Sequence, residues 1–105
     1  MPWIYLIIAG VFEIGWPVGL KIAQNPSSQI TGVLIAVFFM TASGILLWLA
    51  QRTIPIGTAY AVWTGIGAAG TFMVGIIFYG DPSSLLRFFG VLLIIAGVFT
   101  LKLAH

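Results

Sequence analysis

No cysteine occurs in the 105 residues, so neither a disulfide framework nor thiolate chemistry is open to this chain. The single histidine is His105, at the C-terminal position, where it is expected to be inert. No metal-ligand spacing and no nucleophile–base pairing can be assembled, so no enzyme, no metal and no cofactor are expected. Acidic side chains are nearly missing: Glu13 and Asp81 stand against four Lys and Arg. The basic residues form no cluster, which argues against a nucleic-acid partner. Charged residues amount to 6%, where a soluble domain carries about 25%. A chain so poor in charge and 61% hydrophobic could not cover its surface in water, and belongs in a lipid bilayer. No Lys or Arg precedes the first apolar run and no small-residue cleavage pattern follows it, so a cleaved signal peptide is not expected.

What is present is four long apolar runs. They cover about residues 3–21, 30–51, 56–79 and 84–103, each near the roughly 20 residues that cross a bilayer as a helix. The breaks between them are polar and turn-forming: Gln24 to Gln29, Arg52 to Pro55, and Gly80 to Ser84. Asp81 followed by Pro82 reads as an N-cap with proline at the first helical position. Membrane β-strands would be runs of about ten alternating residues, and these runs are continuous and longer. The expected fold is an all-α membrane protein of four transmembrane helices, residues 1–105 forming one domain.

The charges carry a second message. With four spans, Lys21 and Arg87 fall on one side of the membrane and Arg52 and Lys102 on the other. A tie of two against two gives the positive-inside rule nothing to act on, so copies are expected to insert both ways up. Four short helices enclose little interior, and oppositely inserted copies would pool what they enclose. An antiparallel, dual-topology homodimer follows, an inverted repeat made from separate chains.

Glu13 is the residue that most needs such shelter. It lies near the centre of the apolar run from Trp3 to Leu20, where a carboxylate costs roughly 3 kcal/mol on insertion-based scales. Its natural tasks are to hold a proton, to hold a cation, or to alternate between them. Gly10 and Trp16 share its helix face, giving room and an aromatic wall. Pro17 removes the N–H that would bond the Glu13 carbonyl, so a kink beside the carboxylate is expected. In the third span Tyr60, Trp63, Thr64 and Gly67 follow i, i+3, i+4, i+7 spacing, a face able to donate to a carboxylate and stack on a flat cation. Gly65 to Gly70 matches the dinucleotide fingerprint in letters only, without a βαβ unit or the required acidic residue. Gly65 and Gly67 read instead as a bend or hinge. Ser43, midway along the second span, either bonds back to its own helix or helps hold Glu13. In the fourth span Gly90, Ile94 and Gly97 form a stripe suited to a helix–helix dimer contact.

Two segments together resemble a known family: Gly10 to Trp16 followed by Leu20-Lys21, and Pro55 to Gly67. The chain is similar along its whole length, including the Gly80-Asp81-Pro82 turn, to the small multidrug resistance family. Trp16, three residues after the acid, points to its guanidinium-exporter branch. Pro17 departs from the small residue expected there. The resemblance implies an antiparallel homodimer in the bacterial inner membrane that exchanges protons for a guanidinium-type cation. It implies that Glu13 of both subunits binds proton and substrate in turn, that Trp16, Ser43, Tyr60 and Trp63 line or brace the site, and that Gly90 and Gly97 belong to the dimer contact. The chemistry agrees: guanidinium is planar and permanently charged, with N–H donors matched to a carboxylate. Two carboxylates in one cavity titrate as a unit, and proton and cation compete for the same oxygens. Export of quaternary ammonium cations by the same fold, or a non-transporting subunit that pairs Glu13 with a partner helix, are the rival readings.

A reporter fused to the C-terminus should give signal from both sides of the membrane in a single culture. Signal confined to one side would contradict the charge tie.

Overall fold

Backbone N–H and C=O groups in a bilayer have no water to bond, so an apolar run must satisfy them internally, and a helix does so. The computed structural model describes residues 2–104, and all four runs are helices: α1 (Pro2–Ile22), α2 (Gln29–Ala50), α3 (Ile56–Tyr79) and α4 (Leu85–Ala104). His105 lies outside the described residues. The ends fall within about two residues of those read from the sequence. All four helices are long and apolar enough to cross a membrane.

The joints follow local chemistry. Asn25 opens a single 3-10 turn at Pro26–Ser28, its Oδ1 accepting from the Ser27 N–H and hydroxyl at 3.1 and 2.9 Å. Ser28 Oγ donates to the Ile22 carbonyl at 2.9 Å, tying the end of α1 to the start of α2. Gly80 adopts a left-handed φ of 66° and ends α3. Its N–H and that of Asp81 both turn back on the Gly75 carbonyl, the latter at 3.1 Å. The expected N-cap at Asp81 is therefore corrected. Asp81 closes α3, residues 81–84 carry no helix, and α4 starts at Leu85 with Ser84 Oγ accepting from the Arg87 N–H at 3.2 Å. A serine one residue before the helix, bonding the third N–H, competes better than an aspartate already committed to the previous helix end.

α1 is the hub. It packs most extensively on α2 and next on α3, while α4 rests chiefly on α3 and buries only Val91. The Cα atoms span 45 × 34 × 16 Å, a slab too thin to enclose anything on all sides. α1 and α2 approach closely because glycines let them. A Cβ on Gly32 would overlap the backbone of Ala23 and Gly19. The buried cluster of Leu6, Ala50, Ile54, Ala59 and Val62 joins the start of α1, the end of α2 and the start of α3. The slab is thus closed at one membrane end. Further along, Glu13 stands mid-helix on α1 beside a cavity, while Gly19 and Gly32 keep α1 and α2 in contact beyond it.

All four basic residues rest on aromatic rings. Lys21 lies 5.6 Å from the Tyr79 centroid, Arg52 4.9 Å from Trp48, Arg87 5.2 Å from Phe72 and Lys102 5.2 Å from Trp3. With two acids in the whole chain, ring faces are the anionic surface available near the helix ends.

Gly32→Ala should destabilise the purified protein in detergent by about 1–3 kcal/mol, because the added methyl meets backbone that cannot rotate away. Gly57→Ala, with open space around its Cβ position, should stay within about 0.5 kcal/mol of the parent. Denaturant melts followed by circular dichroism compare the two.

Candidate functional site

Glu13 occupies the fourth turn of α1 and leans towards α3. Gly67 makes that possible: a Cβ there would overlap Glu13 Cγ. Parallel packing of α1 on α3 sets the register, with Gly10 against Ile66 and Ile14 against Gly70 on either side of the Glu13–Gly67 contact. Trp16, one turn on, donates its indole N–H to Glu13 Oε1 at 2.6 Å. This short charge-assisted bond fixes one carboxylate oxygen and leaves the other free to accept. Glu13 is half-buried, and the cavity before it, about 380 Å³, is lined by Glu13, Pro17, Thr64, Gly67, Ala68, Thr71, Phe72 and Asp81. One braced carboxylate facing a partly polar cavity can hold a proton or a small cation.

A second set of bonds holds the turn from behind. Trp63 Nε1 donates to Ser43 Oγ at 2.8 Å, and Ser43 Oγ donates to the Ala9 carbonyl at 2.7 Å. Ser43 is fully buried. Ala9 is also the residue whose carbonyl takes the Glu13 N–H in the i→i−4 pattern. Three helices therefore meet, through one hydroxyl, at the turn that carries the carboxylate. Tyr60 packs on Trp63 with centroids 5.4 Å apart and stays 55% exposed, its ring open to whatever covers that face.

The residues singled out in the sequence divide into groups. Trp16, Pro17, Thr64 and Gly67 are gathered with Glu13. Ser43 bonds neither back to its own helix nor to Glu13, but across to α1. The Trp63 N–H is spent on Ser43 instead of a carboxylate, because the register places it level with Ala9, a turn away from Glu13. Gly10 offers no room for a ligand; Ile66 fills that space. Gly65 and Gly67 lie inside a continuous helix, against Val98 and Glu13. α1 likewise runs unbroken as a helix through Pro17. Gly90 and Gly97 face open space, and Ile94 reaches towards Gly65. Thr71, Phe72 and Asp81 were missed. Thr64, Ala68 and Thr71 follow i, i+4, i+7 spacing, so carrying the third-span face one turn further would have found Thr71. Asp81 had no such signal, because a turn and not a periodicity brings it back.

Comparison with known proteins agrees with this architecture. The family described as Small Multidrug Resistance protein matches residues 1–94. A protein of Yersinia pseudotuberculosis serotype I (strain IP32953) named guanidinium exporter is 48% identical over 104 residues, covering 99% of both chains. Proteins of the same name from Salmonella typhimurium (strain LT2) and Citrobacter freundii are 45% and 44% identical over 99% of this chain and 98% of theirs.

Ser43→Ala should cost about 1–2 kcal/mol, since it strands the half-buried Trp63 N–H without its acceptor. Denaturant unfolding measures the loss, and a shift in tryptophan emission should report the freed indole.

Proposed function

We propose that this chain, which belongs to the small multidrug resistance family, exports guanidinium or small substituted guanidinium cations in exchange for protons. It is a multi-pass integral protein of the bacterial inner membrane. The observation that carries the reading is a membrane-embedded carboxylate that, among the described residues, meets no cation of its own chain. All four basic groups are held on aromatic rings, and Glu13 has one indole N–H on one oxygen. Such a group is stable when it carries a proton or when a guest cation sits against it. The relatives named guanidinium exporters support a planar cation as the guest.

Exchange follows from competition. A guanidinium group presents paired N–H donors to the free side of the carboxylate. A proton on the same oxygens removes the negative charge and with it the affinity. The two occupants therefore use the site alternately, and an inward proton gradient drives the cation outward. Trp16 holds the carboxylate plane so that the free oxygen faces the cavity.

The thin slab argues for a second copy. One protomer covers Glu13 on the α3 side and leaves Tyr60 and the Gly90–Gly97 stripe uncovered. An antiparallel homodimer would cover those faces and bring two Glu13 carboxylates to one central chamber. Each protomer carries its buried cluster towards one membrane end and its Glu13 cavity nearer the other. An inverted pair thus holds the elements of alternating access.

The purified chain, reconstituted alone in liposomes, should carry guanidinium against a proton gradient, and Glu13→Gln should abolish this flux. Proton-driven flux at parental rates in that variant would refute the mechanism. Tetraethylammonium should compete weakly with guanidinium; equal or stronger competition would favour an exporter of quaternary cations.

A further inference from the structure

Asp81 is the only acidic residue besides Glu13, and the tertiary structure brings the two to the walls of one cavity. A second cavity, of about 180 Å³, adjoins it. Its walls include Lys21, Gly75 and Tyr79, and it shares Pro17, Thr71 and Asp81 with the first. Glu13, Pro17 and Lys21 are successive turns of α1. The shared residues therefore mark a polar route from the carboxylate to the membrane end where α1 and α3 finish.

The position of Asp81 on that route is built. Left-handed Gly80 reverses the chain, the Asp81 N–H bonds the Gly75 carbonyl, and the Asp81 carboxylate lies over Gly75, where a Cβ would overlap Oδ2. Lys21 shares the second cavity with Asp81 but lies over the Tyr79 ring, and Arg87 lies over the Phe72 ring. Among the described residues no basic group pairs with Asp81. Thr71 lines both cavities, and its Oγ1 is buried behind that wall without a hydrogen-bond partner. A buried hydroxyl without a partner is uncommon and costly. Rotated about χ1 into the cavity it shares with an unpaired carboxylate, it would supply an acceptor for an N–H-rich cation.

We propose that Asp81 and Thr71 form an outer station for the transported cation, met between the membrane surface and Glu13. This rests on the export reading and assigns the route by which the cation reaches or leaves its central site. Asp81 attracts the cation to the mouth, and Thr71 accepts an N–H as the cation passes Pro17. In an antiparallel pair each protomer would place its Asp81 at an opposite membrane face, so both mouths would carry one.

The test is guanidinium transport by the reconstituted full chain across a range of substrate and sodium chloride concentrations. Asp81→Asn should raise the apparent KM about fivefold with most of the maximal rate kept, because electrostatic attraction at a mouth acts on capture. Asp81→Glu should restore most of the parental KM, and Thr71→Val should raise it about threefold by removing one acceptor. The parental KM should climb with added salt, and that of Asp81→Asn should climb less. Unchanged KM and salt response in Asp81→Asn would overturn the station. So would equal losses of rate and affinity that Asp81→Glu cannot rescue, which mark a turn-closing role alone. If Asp81→Asn does not fold, Thr71→Val and the parental salt response decide. No guanidinium flux in the parent would overturn the export reading and the station with it, whereas parental flux with an unmoved Asp81→Asn would overturn the station alone.

Discussion

A carboxylate within a membrane span, kept apart from every Lys and Arg of its own chain, is the constraint around which this structure is organised. The usual relief for a buried anion is an internal Lys or Arg. Here all four such residues sit near helix ends on aromatic rings, three of the rings belonging to another helix. Glu13 receives one strong N–H bond, from Trp16, enough to orient it but not to neutralise it. The remaining need is left for an occupant from outside. A structural residue would be arranged in the opposite way, with its charge cancelled within the fold.

Orienting that carboxylate asks for rigidity in a thin assembly. Small residues supply it by bringing backbones together: Gly19 and Gly32 between α1 and α2, and Gly67 beneath Glu13. Ser43 adds the polar counterpart, linking α2, α1 and α3 at the turn that carries the acid. The cost of burying a hydroxyl and an indole N–H is offset because each completes the other. The buried cluster then closes one end, leaving polar surface to collect at the other. α4, bound mainly to α3 and buried at one residue, contributes least to this arrangement and offers the most uncovered surface.

Much of this was legible in the linear chain. The four spans, the exceptional position of Glu13 and its pairing with Trp16 each rest on local spacing, and helix geometry converts local spacing directly into neighbourhood. The third-span face was found only in part. Thr64 and Gly67 reach the cavity, whereas Trp63 turns to Ser43 and Thr71 lies one turn beyond Gly67. Asp81 was read as the cap of the following helix, because Asp-Pro is a helix-opening pair wherever nothing else claims the aspartate. The preceding glycine had already claimed it.

What the sequence by itself determined is therefore the number of helices, their ends to within about two residues, their residence in a bilayer, and the one carboxylate that costs too much to be idle. All of these are properties of single segments, set by hydrophobic length and by the price of an ion in hydrocarbon. The tertiary structure alone decided that Asp81 and Thr71 share the Glu13 cavity, that Ser43 braces Ala9, and that Gly67 supports the acid. Those are distances between residues on different helices, fixed by the register at which α1 packs on α2 and α3. That register depends on which small residues allow backbones to meet, and no periodicity within a single helix encodes it.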